Sequence, residues 1–340
     1  MRSSSPMTQA PKTIRKCDTS RKRIASSTFS DEGLRLLLLP HYDLGGPTQC
    51  VLHRRGVNDV YRLSVPAGTF AVKVYQAGLR NHDSVVEELR ALEHFSDRGL
   101  SVATPVKRCD GDVVTQLHSP EGMRNAVIFN WSNGAAPKYD ESSQAEQVGR
   151  LCAHLHEAGD SLSLGETRPR IDIEYIWAIP SSAIRQRMLV FPGLTARLDS
   201  IVDRIATQLR CRRDQLRDWG FCHGDFTDGN MRLDKQTLSI FDFDWCGSGW
   251  HVFDVATFRW MARLVGAEAC SWEPFRKGYL QVRPDAADSL ELTSLFVVLR
   301  HFWHTATCLQ MANYLGAGAL TDEFFEDFVE FCEQANLRAP

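Results

Sequence analysis

Long apolar runs are missing from this 340-residue chain: a stretch such as Leu36 to Pro40 falls far short of the ~18 to 20 residues that a membrane-spanning helix needs. No membrane association is expected. An excess of one charge is missing too, since 39 Lys and Arg stand against 42 Asp and Glu for a formal net charge of −3. The ten cysteines are scattered singly, at positions 17, 50, 109, 152, 211, 222, 246, 270, 308 and 332, with no Cys-x-x-Cys pair and no Cys/His ligand spacing. That excludes a zinc ribbon and a small disulfide-stapled domain, and it points to a reducing cytoplasm. Repeats are absent as well. With 43% hydrophobic and 24% charged residues, a disordered, collagen-like or coiled-coil chain is excluded. At about 150 residues per domain, the length predicts roughly two domains with a cleft between them.

The first thirty residues hold seven bases (Arg2, Lys12, Arg15, Lys16, Arg21, Lys22 and Arg23), one acid (Asp18) and many Ser and Thr, without the apolar segment of a secretory signal. Residues 1–30 read as a basic tail, either a disordered solvated arm or a targeting or anion-binding arm. Without it the chain holds 32 bases (39 less 7) and 41 acids (42 less 1), a net charge of −9. Such a balance argues against nucleic acid as the ligand of the folded part.

Past the tail, β-type runs occur at 51–54, 60–65 and 69–75, joined by Arg55-Gly56-Val57-Asn58-Asp59 and Pro66-Ala67-Gly68, residues that accept turn dihedrals. They predict an antiparallel meander. From Asp83 the period changes: Val85, Leu89, Leu92 and Phe95 fall on one helical face, and Arg98-Gly99 ends the pattern. Two more strands are expected at 113–117 and 126–129, which makes 31–130 a five-stranded lobe carrying one helix. Beyond it, helical spacing prevails at 144–157, 194–210, 255–264, 289–314 and 322–336. The stretch from Gly165 to Pro192 has weak periodicity and is left unassigned.

Chemistry concentrates in Phe221-Cys222-His223-Gly224-Asp225-Phe226-Thr227-Asp228-Gly229-Asn230 and, after a β-type run, in Phe241-Asp242-Phe243-Asp244. An Asp, an Asn five positions later and a further Asp match the needs of phosphoryl transfer. Asp225 would take the proton of an attacking hydroxyl. Asn230 and Asp242 offer the hard oxygen ligands that suit Mg²⁺ bridging the phosphates of ATP. On their strand, Ala71 and Lys73 lie two apart and so face one side, where the Ala borders an adenine and the Lys reaches phosphate.

The pattern H-G-D-x-x-x-x-N followed by F-D-F-D resembles the aminoglycoside phosphotransferase / choline kinase family, small-molecule kinases with a protein-kinase-like fold. His223, Gly224, Asp225 and Asn230 carry the catalytic-loop match, Asp242 the metal-binding match, and Asp254-Val255-Ala256 the D-hydrophobic-A that follows. The resemblance spans most of residues 40 to 315. It implies a two-lobed α+β fold, with a small antiparallel N-terminal lobe (31–130) for nucleotide and a mainly helical lobe (131–340) for catalysis and acceptor. It further implies ATP and Mg²⁺ as cofactors and transfer of the γ-phosphoryl group to a hydroxyl of a small-molecule acceptor.

Kinase-like folds pair the strand Lys with a helix Glu, so Glu88 is expected to hold Lys73, with Glu87 as the alternative. The phosphate-covering turn, Arg55 to Tyr61, lacks G-x-G-x-x-G, and Asn58 is the cofactor-site candidate there. The adenine hinge is placed at 129–132. Asp254 reads either as a helix N-cap or, by the resemblance, as a brace for the catalytic loop. Asp244 is either a second metal-side carboxylate or a brace, and His223 is expected to brace rather than to act as acid or base. His154, His156, His301 and His304 lack further ligands at metal spacing and are expected in the core or the acceptor pocket. For that pocket, segments near 172–177, Trp250, 259–263 and 300–304 are the candidates. The acids of 322–333 read as a solvated helix face, or as negative charge offered to an amine-bearing acceptor. Two alternatives stand beside the small-molecule kinase. One is a bacterial stress-type Ser/Thr protein kinase, against which only twelve positions separate Asp242 from Asp254. The other is a nucleotide-binding pseudoenzyme or scaffold.

Overall fold

A computed structural model describes residues 24–46 and 49–335. Near the start lies a short helix, α1 (Asp31–Leu38), capped by the Ser30 hydroxyl, which accepts from Gly33 N–H. Strands β1 (Gln49–Arg55), β2 (Asp59–Val65) and β3 (Gly68–Val74) form the expected meander. Helix α2 (His82–Asp97) follows, its first turn capped by Asn81, and β4 (Thr115–Ser119) and β5 (Gly122–Asn130) complete an antiparallel sheet in the order β1-β2-β3-β5-β4.

Strand periodicity explains how this sheet is clad on both sides. On β3 and β5, Phe70, Val72, Val74, Ala126 and Ile128 face a core that α1 closes with Leu34 and Leu38. The intervening residues, Ala71, Val127 and Phe129, face α2 and the rest of the molecule. The sheet therefore carries α1 in addition to the expected α2. Of the tail, residues 1–23 lie outside the described residues. Residues 24–30, expected to be disordered, are instead docked: Ser27 binds Glu121, its carbonyl accepts from Arg124, and Tyr61 donates to the Phe29 carbonyl.

The remainder is mostly helical: α3 (Ser142–Gly159), α4 (Ile179–Met188), α5 (Pro192–Cys211), α6 (Val252–Leu264), α7 (Glu268–Val282), α8 (Ala287–Leu290), α9 (Thr293–Leu315) and α10 (Asp322–Gln334). Short strands are set among them. β6 (Arg170–Ile171) and β7 (Trp219–Cys222) flank β10 (Gly247–Trp250), and β8 (Met231–Asp234) pairs with β9 (Thr237–Ile240). The stretch left unassigned in sequence holds a π-helical turn (Glu174–Ala178) and α4. Helix α9 begins at Thr293 rather than Ser289, which belongs to the separate α8; Asn336, the expected end of α10, lies outside the described residues. Helix α7 escaped sequence reading because Pro274 and Gly278 interrupt its apolar pattern. Gly278 has a packing reason: a Cβ there would meet the Glu146 carbonyl of α3 at 2.1 Å, and one on Gly149 would meet the Phe275 carbonyl at the same distance.

Candidate active site

Strand β7 becomes buried at Phe221 and Cys222 and delivers His223, Gly224 and Asp225 to the junction between sheet and helices. Gly224 has φ of +80°, and a Cβ on it would lie 2.2 Å from the Trp245 carbonyl, so this position admits only glycine. His223 is fully buried. Its Nδ1 accepts the Asp225 N–H at 3.2 Å and its Nε2 donates to the Phe241 carbonyl at 3.1 Å, which defines a neutral ring that burial keeps below the usual histidine range. It ties the two chemical segments together and is a brace. Asp254, in the first turn of α6, accepts from His223 N–H at 2.6 Å and Gly224 N–H at 2.9 Å, while His156 Nε2 donates to it at 3.1 Å. It braces the loop, and the helix's own N-cap residue is His251.

Asp225 projects from this frame with both carboxylate oxygens engaged: Asn230 Nδ2 donates to Oδ2 at 2.9 Å and Arg300 to Oδ1 at 2.6 Å. Asp242 sits opposite in the left-handed region, φ +65° and ψ +62°, a conformation rare outside glycine and characteristic of strained functional positions. Lys73 Nζ lies 2.7 Å from Asp242 Oδ1 and 3.1 Å from Glu88 Oε1. Burial opposes its charge, but Asp242 and Glu88 outweigh burial and raise its pKa well above the ordinary lysine value. Between the two glutamates geometry decides for Glu88, because Glu87 accepts from Gly165 N–H and Arg90.

Asn58 requires a correction. Expected to meet nucleotide, its side chain is turned inward: Nδ2 donates to Asp244 Oδ2 at 3.1 Å and Oδ1 accepts from Gln76 N–H at 3.0 Å. Asp244 is likewise a brace. It is buried and held by Asn58 and Arg80, and its carbonyl accepts from Arg168. Attraction to Lys73, Arg80 and Arg168 outweighs burial and lowers its pKa.

Ala71, Lys73, Glu88, Asn230 and Asp242 line one cavity, closed on the hinge side by Phe129, Trp131 and Ser132. His53 also lines it and meets Trp131 edge-on at 5.2 Å. Sequence reasoning missed His53, which sits on an edge strand with no motif around it. For a divalent cation the donor set fits. Asn230 spends its amide hydrogens on Asp225, which leaves its carbonyl oxygen, and the Asp242 side chain is 39% exposed. Among the described residues no cluster of three or more His, Cys, Asp or Glu competes as a metal site.

A second cleft, of about 840 Å³, opens on the helical side and is lined by Tyr175, Ile179, Arg187, Trp245, Trp303 and Gln310. Two of the segments anticipated for an acceptor, 172–177 and 300–304, thus contribute to it. Trp250 instead packs on Trp219 and Phe296, and Arg259 and Arg263 pair with Glu268. The α10 acids do not line this cleft; Glu323, Glu326, Asp327 and Glu330 are exposed on the face opposite buried Phe325, Phe328 and Val329.

Residues 51–283 match the phosphotransferase enzyme family, APH. An uncharacterized protein of Deinococcus radiodurans is 30% identical over 90% of this chain and 90% of its own length. Homoserine kinase of Sinorhizobium fredii is 25% identical over 64% of each chain. Among solved structures, an amicoumacin kinase in complex with AMP-PNP, Ca²⁺ and Ami superposes with a TM-score of 0.69 at 18% identity, covering 92% of this chain and 95% of that one. In fold that neighbour is kinase-like, as the two-lobed resemblance implied. With the match extending from β1 to the end of α7, the chain belongs to the APH phosphotransferase enzyme family and is a phosphotransferase acting on a hydroxyl acceptor.

Proposed function

We propose that the protein transfers the γ-phosphoryl group of ATP to a hydroxyl of a small molecule, with Asp225 as general base and with Asn230 and Asp242 as the ligands of Mg²⁺. The observation that carries this reading is the convergence of four side chains from three segments: Lys73 from the sheet meets Asp242, while Asn230, which lines the same cavity as both, meets Asp225. Lys73, held by Glu88, supplies fixed positive charge for phosphate oxygens, and Ala71 and the hinge at 129–132 wall the base. Mg²⁺, when bound, neutralises charge on the bridging phosphates. Asp225 orients the acceptor hydroxyl and takes its proton. The division into a nucleotide lobe (31–130) and a catalytic and acceptor lobe (131–340) is part of the proposal, as is a reducing cytoplasmic setting, supported by nine free cysteines among the described residues.

The acceptor enters through the cleft of Tyr175, Trp245 and Trp303. Homoserine kinase among the relatives makes homoserine the first acceptor to try. The protein-kinase alternative finds no support in the segment between Asp242 and Asp254, which is taken up by the Phe243–Trp245 turn and β10.

Calorimetric titration of Mg²⁺-ATP into the wild type and into Asp242→Ala tests the reading. Binding that needs Mg²⁺ and weakens in the variant is expected. Absence of binding to the wild type, with GTP also tried, would overturn it in favour of the scaffold.

A further inference from the structure

Arg300 lies on α9 between Leu299 and His301, in a helix packed mainly through apolar residues, and its side chain is only 3% exposed. Three aromatic rings surround the guanidinium, with centroids at 4.6 Å (Trp303), 4.9 Å (Trp260) and 5.9 Å (Phe253). A cation so deeply buried requires a partner, because desolvation of an unpaired charge is prohibitive. The partner is the proposed base: one terminal nitrogen donates to Asp225 Oδ1 at 2.6 Å, and the other donates to the Gly224 carbonyl at 3.0 Å. Arg300 therefore grips the main chain and the side chain of the catalytic loop at once. The opposite carboxylate oxygen is taken by Asn230, so two donors on opposite oxygens fix the plane of Asp225. The planar fork of arginine makes this possible, and a lysine ammonium could not hold both acceptors in the same geometry.

We propose that Arg300 is a positioning residue for phosphoryl transfer, setting the direction in which the Asp225 carboxylate meets the acceptor hydroxyl; the inference rests on the reading of Asp225 as base. The three-ring cage that locks the guanidinium includes Trp303, which also walls the acceptor cleft, so the same side chain joins acceptor site and base.

The test measures ADP formation from Mg²⁺-ATP, with water and with homoserine as acceptors, alongside calorimetric nucleotide binding, for wild type, Arg300→Met and Arg300→Lys. Arg300→Met keeps bulk among the rings and removes the fork. It is expected to lower kcat about 10²-fold, the scale of a misplaced reacting group, while the Mg²⁺-ATP Kd stays within about twofold. Arg300→Lys is expected to recover part of that loss. Wild-type kcat in Arg300→Met, or a parallel loss of nucleotide affinity and melting temperature, would overturn the assignment. Failure of the functional reading looks different, as a wild type that binds no Mg²⁺-ATP. In that case thermal unfolding of Arg300→Met, Asp225→Asn and the double variant still decides whether the two side chains act as a unit: non-additive shifts support the grip, and additive shifts refute it.

Discussion

Lys73 and Asp242 face each other at 2.7 Å across 169 positions of sequence, and their ion pair joins the sheet to the segment that follows β9. Because the lysine is buried and Glu88 holds it from the other side, this pair serves both stability and charge placement.

Replacing Lys73 with Met removes the hydrogen-bonded counter-ion of buried Glu88 and leaves it only Arg168, at 4.0 Å. Breaking one side of a buried pair typically costs about 3 to 5 kcal/mol, so denaturant unfolding of Lys73→Met should show a loss on that scale. Adding Glu88→Leu should restore part of the stability. Nucleotide binding, read by calorimetry, should remain weakened in both variants, since the charge proposed to meet phosphate is still missing.

Asp225→Asn keeps the shape of the side chain and removes the proposed base. Turnover should fall by about 10²- to 10⁴-fold with nucleotide affinity retained. Full turnover in this variant would show that the proton leaves by another route.

Gly224→Ala places a methyl group against the Trp245 carbonyl at a backbone position of positive φ. Backbone on one side and a braced loop on the other leave little room to yield. A stability loss of about 1 to 3 kcal/mol is expected by chemical denaturation, with activity falling further because Asp225 is the next residue.

Asp254→Ala removes the acceptor for two buried N–H groups, those of His223 and Gly224. Each buried donor left unpaired costs about 1 to 3 kcal/mol, so a loss of about 2 to 6 kcal/mol is expected in unfolding experiments. A near-neutral result would mean that the loop is held by the His223 contacts alone.

Burial, reinforced by neighbouring charge that includes Arg300, pushes the pKa of His301 down to about 3 and that of His304 to about 4, from an ordinary 6.5. Above pH 6.5 neither the folded nor the unfolded chain protonates these rings, and their contribution to stability is full. Below pH 6.5 the unfolded chain takes up protons that the folded one refuses, so stability falls as the pH drops toward 4. Each ring should remove about 2 kcal/mol between pH 6.5 and 5. Unfolding curves at pH 7 and pH 5 check this, and His304→Gln should show the smaller difference.

Strand and helix periodicity made the N-terminal sheet and α2 legible, because β2, β3 and α2 each bury a regular face. Helices α4 and α7 were not legible: a π-helical turn leads into one, and a Pro and a packing Gly interrupt the other. Asn58 looked like a phosphate-loop residue on local grounds, and only its contact with Asp244, 186 positions away, shows that it faces inward.

The spacing of Asp225, Asn230 and Asp242 and the alternation of Ala71 and Lys73 are local, and the sequence by itself determined them. Local dihedral preference and side-chain period act over a few residues, so such patterns survive in one dimension. Which glutamate holds Lys73, how both oxygens of Asp225 are occupied and where the cleft on the helical side opens were decided only by the tertiary structure. Those outcomes depend on burial. Glu88, Arg300 and Asp254 keep their places because a desolvated charge must find its partner wherever the packed helices and sheet bring one within reach.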